Sequence, residues 1–393
     1  MVFPSDSPTH ATGPGAVLWP AVPGCSGGAA TQVAAVGPDD VPARPRPLAL
    51  TGATAARGPY GRVVMAGAAL SGRSVAVVQG TAGATLAASS QPGGPPLALA
   101  SAYLGDVALA SAQPSGRGGL RFRVERWFAR SFGPWREIVP SGAISEPVLA
   151  LDYRSDLLAV WRQRGAILAR DEPASGRVEP LQRLAGAAGA VHVAALRSDD
   201  NRAIVAWSVQ RAGVTSVYLD QSAPGVRFVR PQLLERYRNP YGMAAPAASP
   251  QLVRLRSESV MLAWQGASAG SWVVRAAPVD QLGLRQVTTL TPPSGNALLA
   301  ALAPAPDGGA LALWTEPLGA AGGTPDLHDA AIAGAGGIDT FPGLATFGPP
   351  EAIAPPGPNE SPQLAVDPRT DAALAVWRTD GGELEYAIRN PAG

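Results

Sequence analysis

The stretch from Ser361 to Arg389, SPQLAVDPRTDAALAVWRTDGGELEYAIR, decides how the chain is read. An apolar run after a proline (Pro362 to Val366) is followed by a polar turn (Asp367 to Asp371). A second apolar run then ends in tryptophan (Ala372 to Trp377), and a glycine-bearing turn leads to a third run (Leu384 to Ile388). Short apolar runs joined by Asp, Pro and Thr form a β-hairpin, and the third run extends it into a meander.

The same pattern recurs upstream. Paired runs occupy Val63 to Val78, Pro96 to Ser111, Pro147 to Trp161, His192 to Trp207, Pro250 to Trp264, Leu299 to Trp314 and Pro362 to Trp377. These seven units recur about every 50 residues, a spacing typical of propeller blades. Five of the nine tryptophans (Trp161, Trp207, Trp264, Trp314 and Trp377) fall at one register position. At the end of a second strand such a ring fills the widening wedge between neighbouring sheets, a structural role that outweighs sugar stacking.

Third runs follow at Ala166 to Ala169, Val214 to Leu219, Trp272 to Ala276 and Leu384 to Ile388. Fourth runs follow at Trp135 to Val139, Val178 to Leu184, Phe228 to Leu234, Val287 to Leu290 and Phe347 to Ile353. The expected fold is therefore all-β: a single β-propeller of seven four-stranded blades, with six or eight as alternatives. The first unit is short enough to lack a fourth strand, and an insertion is expected in Pro317 to Phe341. Residues 1–42 read as a leader segment with one strand at Thr31 to Val36, and residues 43–393 as the propeller. The last unit ends after three runs, so Arg46 to Thr51 is expected to close the ring beside Leu384 to Ile388, removing a free edge.

Composition bounds the function. Glycine (46) and proline (40) make up more than a fifth of the 393 residues, as many turns between short strands require. All 31 basic residues are arginine, against 30 acidic ones, so the net charge of +1 gives no case for nucleic acid or an anionic membrane. The single Cys25 excludes an intramolecular disulfide. Its VPGCSGG setting resembles a lipoprotein cleavage site, yet residues 1–43 contain no arginine and prolines interrupt Ala16 to Val22, so no signal peptide is read. No apolar run is long enough for a transmembrane helix.

The unit P-x-[VL]-A-[VL]-D followed by A-[LV]-A-[VL]-W resembles the degenerate repeats of bacterial, especially actinobacterial, β-propellers grouped loosely with sialidase and BNR-repeat families. The resemblance covers about Arg46 to Gly393 and implies architecture. No S-x-D-x-G-x-T-W box occurs, the nearest stretch being Ser198-Asp199-Asp200-Asn201, and none of the sialidase catalytic roles transfers to a residue here.

Asp152, Asp156, Asp199, Asp200, Asp367 and Asp371 fall in first-to-second-strand turns, where aspartate caps the local backbone. A strand sends Asp326 and His328 to one face and Asp329 to the other, which disfavours a metal site, and no catalytic or phosphate-binding motif appears. No cofactor, metal or catalytic residue is assigned. The favoured expectation is a monomeric, non-catalytic binding or scaffold propeller, secreted or held in the cell envelope, that engages a protein or glycan through one rim. The alternative is a divergent glycosidase, sialidase-like enzyme or other hydrolase with an axial site. The candidate rim collects Arg117, Arg162, Arg164, Arg211 and Arg378 with Arg236, Tyr237 and Tyr241, because planar guanidinium forks and rigid phenols suit an acidic glycan or protein patch.

Overall fold

The computed structural model describes residues 2–3, 15–20, 31–36, 46–48, 50–57, 62–69, 74–81, 87–92, 96–102 and 106–112. From residue 119 it describes all but 127–130, 140–141, 178, 185–187, 199, 224–226, 229, 241–249, 256–258, 294–295, 306–308, 319–325, 341–343, 367–372, 380–382 and 390–393. These residues form eight consecutive antiparallel sheets, at 2–48, 50–92, 96–139, 145–183, 190–238, 251–289, 298–357 and 360–389. The first four belong to one compact unit and the last four to a second, which also includes residues 370–393. No helix among the described residues is long and apolar enough to cross a membrane.

Six of the seven expected hairpins form the first two strands of their sheets, as in Ser145–Leu151 with Leu157–Gln163 and Ala190–Arg197 with Ala203–Arg211. The exception is the earliest. Val63 to Val78 lies in Arg62–Ala69 and Ser74–Thr81, the second and third strands of a sheet that begins at Leu50–Arg57. That unit therefore has four strands, not the shortened set expected. Its opening strand, LTGATAAR, lacks the bulky apolar residues that mark the others.

The expected closing strand is corrected as well. Arg46–Leu48 pairs with Thr31–Val36 (Thr31 opposite Leu48, Gln32 opposite Pro47), and Thr51 belongs to the next sheet. A neighbouring strand costs less chain entropy to reach than a distant one, and Pro47, without an N–H, is tolerated at this sheet's edge. Leu384–Arg389 pairs with Ala373–Arg378 and, among the described residues, with nothing else, so the last sheet has three strands. The expected insertion takes the form of a long strand, Asp326–Thr340, whose outer neighbour is split into Leu344–Phe347 and Glu351–Gly357.

The aligned tryptophans all lie inside, with 0–5% exposure. Trp161 shares a core cluster with Ala108, Leu120 and Phe122 of the preceding sheet. Trp264 does so with Ile204 and Leu219, Trp314 with Met261 and Val274, and Trp377 with Leu313 and Ile332. Each of these four rings thus fills the wedge on its predecessor's side, and the alanines around it leave the needed depth.

Buried amides add polar links. Fully buried Gln265 donates through Nε2 to the Val273 carbonyl (3.0 Å) and, in the next sheet's approach, to the Ala297 carbonyl (2.7 Å). Its Oε1 accepts from the Leu299 N–H at 3.0 Å. Gln251 grips the same strand, donating to the Ala300 carbonyl (2.9 Å) and accepting from the Leu302 N–H (2.8 Å). Replacing Gln265 with leucine keeps the volume but orphans Ala297 O and Leu299 N–H, at about 1–3 kcal/mol for each group. Urea unfolding should register that loss in the second unit, and a midpoint within error of the parent would contradict the link.

Candidate functional site

The turns that join second to third strands were expected to carry the ligand-facing arginines. Three are two-residue turns with both φ values positive: Arg164-Gly165 (49° and 72°), Ala212-Gly213 (49° and 73°) and Ala269-Gly270 (50° and 80°). This geometry matches strand twist and suits glycine at the second position. Arg164 is exposed on the first of these turns, while Arg162, just before it, donates from Nε to Ser145 Oγ at 3.0 Å and lies 3.9 Å from Glu146.

In the second unit, Arg211 ends its strand opposite Val214, which pairs on its other side with Arg238. Arg236 pairs with Ser216. Arg211, Arg236 and Arg238 therefore share one end of one sheet, all exposed. Arg378 is exposed at the end of Ala373–Arg378. Tyr237 is 8% exposed and opposite Thr215, so its ring packs inward, and burial raises its phenol pKa. Tyr241 and Arg117 lie outside the described residues.

The turn aspartates act on backbone. Asp152 Oδ1 accepts from the N–H groups of Arg154 and Asp156, each at 2.8 Å. Asp156 Oδ1 accepts from the Ala174 N–H at 2.7 Å, which ties this turn to the end of the third strand. Asp200 differs, since it accepts from a side chain, Arg202 Nε, at 2.6 Å. Asp199, Asp367 and Asp371 lie outside the described residues.

That tie forms one wall of a cleft that the sequence reading did not single out. The cleft lies within the first unit, between the sheets at 96–139 and 145–183, and holds about 240 Å³. Phe122, Arg123, Val124, Gly133, Pro134 and Arg136 line one side, and Ser155, Glu172, Pro173 and Ala174 the other. Ser155 has φ +67°, a left-handed conformation uncommon for a residue with a side chain, and its hydroxyl donates to Asp106. Arg123 is buried, its guanidinium 4.3 Å from the Phe132 ring centre and 4.7 Å from that of Trp135. Arg121 lies 4.3 Å from the same Trp135 ring, so the indole is shared by two cations.

Glu172 is the centre of this cleft. It is 4% exposed, and its Oε1 lies 2.7 Å from Arg170 Nε. Its Oε2 is buried with no hydrogen-bond partner. Burial raises the carboxyl pKa, and the charges of Arg170 and Arg136 only partly oppose the rise. Arg136 is exposed at the opening, held beside the Pro173–Gly176 turn. A Cβ on Gly176, whose φ is +81°, would stand 3.2 Å from its Nη2.

At the level of sequence, no family matches the chain and no curated protein resembles it. Solved structures do. The β-propeller domain of the Trilobed protease from Pyrococcus furiosus, described as having an open velcro topology, is similar at a TM-score of 0.50 and 10% identity, over 86% of this chain and 94% of that one. A prolyl endopeptidase is similar at a TM-score of 0.51 and 13% identity, over 86% of this chain and 50% of that one. The chain thus spans about half the length of that endopeptidase. The polysaccharide lyase Uly1 follows at a TM-score of 0.47 and 10% identity, over 85% of this chain and 89% of that one. The expected resemblance narrows accordingly: the fold is that of β-propellers, and the sialidase and BNR grouping has no support from sequence.

Proposed function

We propose that this chain is a hydrolase-type propeller that receives the acidic group of a chain-like substrate in the cleft of the first unit. The observation that carries the reading is Glu172: a buried carboxyl with one open oxygen, inclined by burial to keep a proton, beside an exposed arginine. Such a group can give or take a proton near a bound substrate, while Arg136 supplies the fork that recognises a carboxylate. The two peptidase-derived propellers are in keeping with this reading, though they share the fold alone.

The test is a turnover screen of the purified chain on acidic polysaccharides and acidic peptides. Glu172→Gln should lower kcat by about 10²–10⁴-fold, as loss of an acid–base group does, with a cooperative melting curve as the control for folding. Turnover unaffected by that variant would remove Glu172 from the chemistry.

A second reading, non-catalytic binding through a loop rim, is favoured by the exposed trio Arg211, Arg236 and Arg238. Binding without turnover that is lost in the triple alanine variant of those three would select it.

A further inference from the structure

We infer that the cleft of the first unit recognises the free C-terminus of a peptide whose last residue is small and apolar. This deepens, and rests on, the reading of the cleft as the substrate site.

The argument is a count of polar groups. Ser155 has committed its hydroxyl to Asp106, and Arg123 lies against the rings of Phe132 and Trp135. The polar groups a ligand can meet are Arg136 at the opening, Oε2 of Glu172 within, and the guanidinium edge of buried Arg123, whose ring contacts engage only its faces. The remaining side chains of the lining are Phe122, Val124, Pro134, Pro173 and Ala174, all apolar.

A sugar unit carries hydroxyls on most of its carbons, and in this cleft most of them would be stripped of water without gaining a partner. Each such group costs about 1–3 kcal/mol. The terminal residue of a peptide presents a different set: one carboxylate, one amide N–H a single Cα away, and one side chain. The carboxylate matches the planar fork of Arg136, the N–H can donate to Glu172 Oε2 when that carboxyl is ionised, and the side chain meets the proline and valine wall.

Size points the same way. About 240 Å³ lies below the roughly 300–1,000 Å³ of sites for drug-sized ligands, so the cleft holds one residue and leaves the rest of the chain outside.

Calorimetric titration of the whole chain with acetyl-trialanine tests this, using the free-acid and C-terminally amidated forms, a form N-methylated at the last amide, and oligogalacturonate. Amidation and the Arg136→Ala variant should each weaken binding at least tenfold, and N-methylation should weaken it in the parent but not in Glu172→Ala. Equal affinity for the amidated peptide would overturn the inference. Binding of oligogalacturonate with no binding of the peptide would also overturn it, while leaving the acidic-substrate reading in place. Failure of both the peptide and oligogalacturonate to bind would remove the two together. Because Arg136 is exposed, its variant should fold, and its melting curve serves as the control.

Discussion

Replacing Trp314 with alanine is expected to cost the second unit about 3–5 kcal/mol, the range for removing a large buried aromatic ring. The ring is fully buried in the cluster with Met261, Val274 and Leu299, and its Nε1 donates to Glu316 at 2.9 Å. Leu282, which is 83% exposed, provides the contrast, since its alanine variant should stay within about 0.5 kcal/mol of the parent. Denaturant unfolding of the two variants checks both numbers. A small loss for Trp314→Ala would mean that the neighbouring sheet collapses into the space, and that the aligned tryptophan is not what spaces the sheets.

The second large effect is a pH dependence. Asp220 is 4% exposed, and burial pushes its pKa up to about 6, with backbone donors at Gln221 and Arg230 pulling the other way. A carboxyl whose folded pKa exceeds its unfolded value stabilises most below the unfolded pKa, near 4. That stability is lost as pH rises towards 6, because the unfolded chain releases the proton first. A shift of about two units corresponds to roughly 3 kcal/mol at most between pH 4 and pH 7. The parent should therefore melt lower as pH climbs through this window, and Asp220→Asn, which cannot titrate, should flatten the slope. An identical slope in the variant would assign the dependence to other carboxyls.

The fold was legible where side chains repeat and obscure where they are small. Tryptophan at a fixed place after a pair of apolar runs revealed the hairpins of the last five sheets, because a wedge between sheets demands a large ring at one depth. The strand Leu50–Arg57 went unread, since Thr, Gly and Ala pair through backbone alone and leave little pattern. The closing strand was misplaced for a related reason: Arg46–Leu48 does have the look of an outer strand, but sequence does not say which third strand it joins.

The cleft was harder still. Leu120–Arg126, LRFRVER, alternates visibly, and its arginine face would ordinarily signal solvent. Here Phe132 and Trp135 fold back over that face, a contact between strands that no local pattern reports. Glu172 likewise ends an ordinary third strand, and its importance comes from the neighbours that bury it.

In every described sheet, each strand pairs only with strands of its own consecutive stretch, such as Leu157–Gln163 with Ala166–Glu172 or Val260–Ser268 with Ser271–Asp280. The pairings span short separations along the chain, so each sheet can zip as soon as it is synthesised, without waiting for distant residues. Folding can then proceed from the ribosome outward, one sheet serving as the template on which the next docks its tryptophan. The same locality makes the number of sheets a heritable variable, because a duplicated or deleted stretch of about 50 residues brings or removes its own hydrogen bonds and requires no rethreading of the rest.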